Sequence, residues 1–495
     1  MASPLDEEYE EMLYTPVPLV TSRSHPSSLT RLLYSLKGPH KVAIDAIQKQ
    51  IDLRSKETNE LKSTQNSHVP ISRLPAELLS EVFLYVVESD LREDDLGFAL
   101  GTFGFRRACK RWNEVALGCP QLWARWAPGA FLAWGIFNTR SKGVPISLTW
   151  RPWYRYSRNP NDISVDYTIP VRIRTLDFAG TVDHLEDLLE GFGYSHFHFP
   201  IASSIRLHVT PYDEQEPKER TRIFFSLSFP KLSKLDLKNF LPDSSSPIFA
   251  TSNLVSLKLG VPYGAENQYT RSQSLQILQR HSNLQELHLW QGGMPQVEPS
   301  QPLVPVILPR LVDLRLYGTA VIVAGFADLV DASSPLHNVV VDLESASTRG
   351  TLPPINAIKK ILVLSYGCQE LDYPRMAHHL TISSNSDKKS LVFNTKSLST
   401  SAPYPASNFE LRLNSVGSEL AGEICLLFPL DHVREFATIC VPLSKGNCRG
   451  IFKKMEDLLH LRIDNVELGP VMGALCVGDQ LEGVHKEAEE TTWIS

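Results

Sequence analysis

The feature that most constrains this chain is a spaced leucine pattern in its C-terminal two thirds. Its core is L-x-x-L-x-L. Clear copies fall at Leu232/Leu235/Leu237, Leu254/Leu257/Leu259, Leu284/Leu287/Leu289, Leu311/Leu314/Leu316 and Leu458/Leu461/Ile463. Weaker copies fall at Ile173/Leu176/Phe178, Ala202/Ile205/Leu207, Leu336/Val339/Val341, Ile358/Ile361/Val363, Ala377/Leu380/Ile382, Asn408/Leu411/Leu413 and Val433/Phe436/Thr438. The pattern recurs roughly every 26 residues, the size of one supersecondary unit per repeat. Apolar and polar residues alternate at its end, which predicts a short strand with one buried face. One such unit cannot bury its apolar face alone, so neighbouring units must stack into a continuous solenoid. Parallel strands should line one face, with helices or loops on the other. SQSLQILQRH, at 272–281, reads as one of those helices.

If the leucines point inward, the residues between them project from the strand face. One predicted column reads Asp177, Arg206, Asp236, Lys258, His288, Arg315, Arg412 and Arg462; the next includes Lys238, Trp290, Tyr317 and Asp464. His288, Trp290, Arg315 and Tyr317 occupy equivalent places on two successive predicted strands. They are the candidate substrate-binding residues, because Trp and Tyr commonly anchor interfaces and Arg can pair with an acidic or phosphorylated segment. The alternation predicts Leu257 and Leu287 buried, and Lys258 and His288 exposed.

The 495 residues exceed one typical domain. A hydrophobic fraction of 42%, a charged fraction of 21% and a net charge of −6 are ordinary for a globular protein and give no reason to expect nucleic acid. No apolar run is long enough to predict a membrane span, and the acidic start MASPLDEEYEEMLY does not resemble a secretory signal. Seven cysteines with no C-x-x-C pair predict free thiols rather than a disulfide framework or zinc site, in cytosol or nucleus. No phosphate-binding loop, nucleophile elbow or H-E-x-x-H helix is present. The expectation is a non-catalytic protein without cofactor or metal.

Residues 69–126 carry a second signal. Pro75 suits the first helical position, and Glu77 sits near the positive end of the helix dipole. Leu78, Leu79, Val82, Phe83, Val86 and Val87 then follow helical spacing. A second periodic run, Phe105, Ala108, Cys109, Trp112, Val115 and Ala116, ends at Gly118 and Pro120. So small a unit buries too little surface to be stable alone, and needs something to pack against.

The order Leu74-Pro75-x-Glu77-Leu78-Leu79-x-x-Val82-Phe83, then Cys109-Lys110-Arg111-Trp112-Asn113, then Pro120-x-Leu122-Trp123, resembles an F-box. That family of helical modules docks on the Skp adaptor of SCF (Skp–cullin–F-box) ubiquitin ligases. The resemblance implies a Skp-type adaptor, and through it a cullin, as partners. It implies adaptor-binding roles for Leu74, Pro75, Leu78, Leu79, Val82, Phe83, Cys109, Trp112, Leu122 and Trp123. The segment from Val87 to Cys109 is several residues longer than the usual family spacing. The units introduced by Pro230, Pro309 and Pro335 resemble the leucine-rich repeats that follow F-boxes. The usual Asn or Cys at the third place after L-x-L is absent, with Phe240, Pro262, Gly292, Thr319 and Val466 standing there.

The chain is therefore expected to be α/β: a small all-α module followed by an irregular leucine-rich-repeat solenoid. The expected divisions are a disordered acidic start at 1–30, a helical heptad-like segment and linker at 31–68, the F-box at 69–126, an aromatic connector at 127–170, the repeats at 171–477 and a polar tail at 478–495. The implied function is substrate recognition for an SCF ligase, bringing an unidentified target protein to the adaptor. The alternative is a repeat scaffold with no link to ubiquitination.

Overall fold

A computed structural model describes residues 39–90, 108–126, 134–151, 169–192, 198–210, 227–239, 242–251, 253–260, 269–290, 294, 304–332, 336–344, 358–362, 379–385, 390–396, 408–414, 419–428, 430, 432–464, 466 and 468–475. The protein is mixed α/β with a large, mostly parallel sheet. It divides into two compact units, residues 1–177 with 190–193, and residues 178–189 with 194–495. The expected disordered start and polar tail lie outside the described residues.

In the first unit, helix α1 (Pro39–Ser67) precedes α2 (Ala76–Asp90). The α2 side chains of Leu79, Phe83 and Val87 recur every four residues and are buried. This stripe meets α3 (Lys110–Gly118), where Trp112 lies 5.2 Å from the Phe83 ring. The Arg111 guanidinium donates to the carbonyls of Ser72 and Leu74, tying α3 to the chain that leads into α2. Next comes α4 (Pro120–Trp123), with Pro at its first position and Leu122 and Trp123 buried. The Trp123 indole N–H donates to the Ala116 carbonyl at 2.8 Å. Its ring meets Phe137 edge-on and carries the Arg140 guanidinium on its face. Strands β1 (Arg125–Trp126) and β2 (Ile146–Trp150) pair in parallel. The division between the units falls within β3 (Ile173–Gly180).

The second unit is built on the leucine pattern. Its strands are β4 (Ser204–Val209), β5 (Lys234–Lys238), β6 (Ser256–Gly260) and β7 (Glu286–Trp290). After a two-residue strand β8 (Val306–Ile307) comes β9 (Asp313–Thr319), and after another, β10 (Val330–Asp331), comes β11 (Asn338–Glu344). The order β4-β5-β6-β7-β9-β11 is parallel throughout. Leu235 pairs with Leu257, Leu257 with Leu287, Leu287 with Leu314, and Leu314 with Val339. The pattern predicts this register, and all five side chains are buried. Between β6 and β7 lies α5 (Arg271–Arg280), started by a Thr270–Gln273 capping box and burying Leu275, Ile277 and Leu278.

Two parts of the pattern differ. Residues 358–362 are helical, where a strand is expected at Ile358/Ile361/Val363. Buried Ile358 and Ile361 are three apart, a spacing that places both on one face of a helix but on opposite faces of a strand. The sheet also reverses direction. Strands β12 (His379–Asn385), β13 (Ser390–Lys396) and β14 (Asn408–Asn414) lie in the order β11-β14-β13-β12. β14 runs parallel to β11, and β13 is antiparallel to both its neighbours. β13 buries Phe393 and Thr395 and carries no leucine spacing, so the repeat search passes over it. The two reversals cancel, and β15 (Glu435–Ile439) and β16 (His460–Asp464) continue in parallel from β12. Leu458, Leu461 and Ile463, at the end of the sheet order, are only half-buried.

The repeat has a fourth apolar place that the sequence reading misses. Three residues before the first leucine position stand Phe199, Phe229, Thr251, His281, Leu308, Leu430 and Met455, all buried. In several units the carbonyl of this residue accepts from the backbone N–H three residues on: Phe229 from Leu232, His281 from Leu284, Leu308 from Leu311. The turn swings the chain into the strand while its first side chain packs beneath. Phe199 and Phe229 stack across adjacent units with centroids 5.0 Å apart. The unit is thus Φ-x-x-L-x-x-L-x-L, with Φ mostly apolar.

His281 puts an imidazole in that apolar place. It is fully buried, and neither ring nitrogen has a hydrogen-bond partner among the described residues. Burial, with the nearby Arg280 charge, lowers its pKa to about 4 from an ordinary value near 6.5. The folded form therefore holds His281 neutral while the unfolded chain takes up a proton, so stability falls as pH drops from 6.5 towards 4. Two outcomes are expected in denaturant unfolding. Leu287→Ala should cost about 2–5 kcal/mol, as for other buried leucines. His281→Leu should stabilise the protein, and more at pH 5 than at pH 7.5, by on the order of 2–3 kcal/mol. An equal gain at both pH values would show that His281 does not titrate in this window.

Candidate functional site

The exposed face of the second unit's sheet carries the predicted columns. Arg206 pairs with Asp236, Asp236 with Lys258, Lys258 with His288 and His288 with Arg315. The column then continues through Val340 to Glu410. Arg412, expected in this column, instead lies opposite Asp342, which lies opposite Tyr317. The leucine pattern places β14 two residues out of register, because Phe409, not Leu411, aligns with Val339.

The charges on this face are largely consumed by one another. Arg206 and His208 both reach Asp236, at 3.2 and 3.3 Å. Lys258 Nζ is 2.7 Å from Glu286 Oε1. Arg315 holds Asp313, two residues back on its own strand, at 3.2 Å, and Arg412 holds Glu410 in the same way at 2.6 Å. His288 sits where two such pairs meet, with Nε2 3.1 Å from Glu286 Oε1 and 3.5 Å from Asp313 Oδ1.

Burial alone would raise the carboxylate pKa values here, but the cations outweigh it. Asp313 is held at about 2 by its contacts with His288, Arg315 and Asn338. Glu286 is lowered despite burial by Lys258, Ser256 and His288, and Asp236 by His208 and Arg206. Arg315 is raised, chiefly by its hydrogen bonds to Asp313. Both Asp313 and Arg315 remain charged through the physiological range. His288 is only 5% exposed, contrary to the alternation. Glu286 and Trp290 flank it along the strand, and Lys258 and Arg315 stand opposite on the adjacent strands.

Trp290 and Tyr317 lie side by side, with ring centroids 5.1 Å apart and planes 8° from parallel. Adjacent strands are about 4.8 Å apart, so each ring stands upright over its own strand and leans on the next. The other face of Trp290 lies against Gly260, where an added Cβ would come within 3.1 Å of the ring. Both faces of the indole are thus covered, and both side chains are half-exposed. Ring edges, which carry the positive side of the aromatic quadrupole, form the accessible surface. A flat stacking platform is not available at Trp290. His288 meets this slab edge-on, at 6.4 Å from the Trp290 centroid.

The predicted residues of the helical module divide by burial. Leu79, Phe83, Leu122 and Trp123 are core. Cys109 caps α3, its sulfur accepting from the Trp112 N–H at 3.5 Å. Leu74, Val82 and Trp112 are half-buried, while Pro75 is exposed and Leu78 is 52% exposed. Tyr85, 74% exposed, extends the line of Pro75, Leu78 and Val82 at helical spacing of three, four and three. Its place in that strip was legible in the spacing. The chain matches no known protein-family model and no curated protein.

Gly260→Ala should push Trp290 off its flat seat and unstack it from Tyr317. Near-UV circular dichroism should then lose the same signal that Trp290→Phe removes. An unchanged Gly260→Ala spectrum would show that the close approach to Gly260 does not position the ring.

Proposed function

We propose that this chain is a substrate-recognition subunit of an SCF-type ubiquitin ligase. The module at 69–126 acts as its F-box, and the leucine-patterned sheet acts as an irregular leucine-rich-repeat solenoid that holds a target protein. One observation carries the reading. Along α2 and the Pro75 that precedes it, residues separate into two stripes, a buried one at Leu79, Phe83 and Val87 and an exposed one at Pro75, Leu78 and Tyr85. A surface helix of an isolated protein gains nothing from exposing a second apolar stripe, whereas a helix that docks on a partner buries it.

The repeat register supports the second half of the reading. Inward leucines aligned across parallel strands are what stacked repeats require, and they leave a broad polar face with an aromatic slab at β7 and β9. No catalytic residue is needed. The protein acts by holding its target close to the ubiquitin-charged enzyme, which raises effective concentration. Cytosol or nucleus is the compartment in which such a ligase would work.

Leu78→Glu places a charge in the exposed stripe without touching the core. In pulldown with the Skp adaptor it should lower capture at least tenfold, with thermal stability unchanged. Wild-type capture by a folded Leu78→Glu protein, or no capture by the wild type, would end the ligase reading. Trp290→Ala should leave adaptor capture intact and reduce the set of co-purifying proteins.

A further inference from the structure

Glu286, His288 and Asp313 bring three metal-ligating atoms within 4.8 Å of one another. The His288 side chain is more than nine-tenths buried, and its Nε2, within reach of both carboxylates, makes an aligned hydrogen bond to none of the described residues. The flanking oxygens are therefore near the nitrogen but not aligned to accept its proton. An isolated buried imidazole nitrogen between two carboxylates would normally be an unfavourable arrangement.

The spacing fits a cation. Metal–nitrogen and metal–oxygen bonds near 2.0–2.2 Å put neighbouring ligand atoms roughly 3.3–3.5 Å apart in a tetrahedral site. The Nε2 separations from Glu286 Oε1 and Asp313 Oδ1 are 3.1 and 3.5 Å. The second oxygens are already held. Ser256 donates to Glu286 Oε2 at 2.6 Å, and Arg315 donates to both Asp313 oxygens, to Oδ2 at 3.3 Å and to Oδ1 at 3.2 Å. Such outer partners fix the orientation of metal-binding carboxylates.

We propose that Glu286, His288 and Asp313 form a binding site for a first-row divalent cation of the zinc type. Mixed imidazole and carboxylate donors suit that class. The two carboxylates balance the ion's charge, and the His288 imidazole supplies the nitrogen. Two cations compete for the ligand oxygens. Arg315 Nε lies on Asp313 Oδ1 at 3.2 Å and must withdraw to Oδ2 when the ion enters. The Lys258 ammonium lies on Glu286 Oε1 at 2.7 Å and must leave as well. The side chain is 27% exposed, and its flexible stem can carry the ammonium into water. Three protein ligands leave a position open towards the strand face, where a carboxylate or carbonyl oxygen of a bound partner could complete the shell. The inference does not depend on the ligase reading.

The test uses the full-length protein, stripped with chelator and titrated with Co²⁺ as a spectroscopic probe, then with Zn²⁺. One equivalent should bind, with a visible cobalt band that Zn²⁺ displaces. Glu286→Gln and Asp313→Asn, shown to be folded by circular dichroism, should each weaken that binding at least tenfold. Lys258→Met, which removes one competing charge, should strengthen it severalfold. Absence of stoichiometric binding by the wild type overturns the proposal. So does equal affinity in the wild type and in the folded Glu286→Gln and Asp313→Asn proteins, because the ion would then lie on other side chains.

Discussion

Everything in the second unit depends on leucines meeting across parallel strands. Leu257, Leu287 and Leu314 stand in line, as do Leu259, Leu289 and Leu316, and each is covered by the one on the next strand. Because the period of a strand is two, a slip of one residue would turn every leucine to solvent and every charge into the core. Burial of this ladder therefore fixes register, and register fixes which polar groups meet. The half-buried side chains of β16 show the same dependence at the edge, where no further strand among the described residues supplies cover.

The polar face follows from that register. Opposite charges meet either across neighbouring strands, as with Arg206 and Asp236, or two residues apart on one strand, as with Asp313 and Arg315. A face so closely self-paired has few cations ready to bind an anion. A ligand here must displace an existing partner or use the uncommitted edges of Trp290 and Tyr317. In the central Glu286–His288–Asp313 group the self-pairing is incomplete, since the imidazole nitrogen between the carboxylates has no aligned partner among the described residues.

The helical module depends on the same division between buried and exposed apolar side chains. Its core is small: the α2 stripe, Trp112, Leu122 and Trp123, with the Trp123 indole tied to the α3 carbonyl of Ala116. Arg111, beside this core, is spent on the backbone carbonyls of Ser72 and Leu74. Outward on α2, beside Glu77 and Glu81, stand the apolar Leu78 and Tyr85, and their exposure is the part of the module that structural needs leave unexplained.

The leucine spacing by itself determined that the strands from Ala202 to Val341 would be parallel and which residues would face inward, because burial of one strand face admits a single register. It also placed Trp290 beside Tyr317. It did not determine the reversal through β12, β13 and β14, because a strand built on Phe393 and Thr395 carries no leucine period. Nor did it separate strand from helix at 358–362, where the first step of the repeat, two apolar residues three apart, is also the spacing of a helix face. The buried place before each unit was visible in Phe199, Phe229 and Leu308 but was obscured by Thr251 and His281, which are polar. Only the tertiary structure decided that His288 is buried, that Arg315 is already held by Asp313, and that Glu286 and Asp313 close on one nitrogen. These are contacts between strands, and their outcome depends on side-chain reach and mutual screening, which a column read from alternation does not contain.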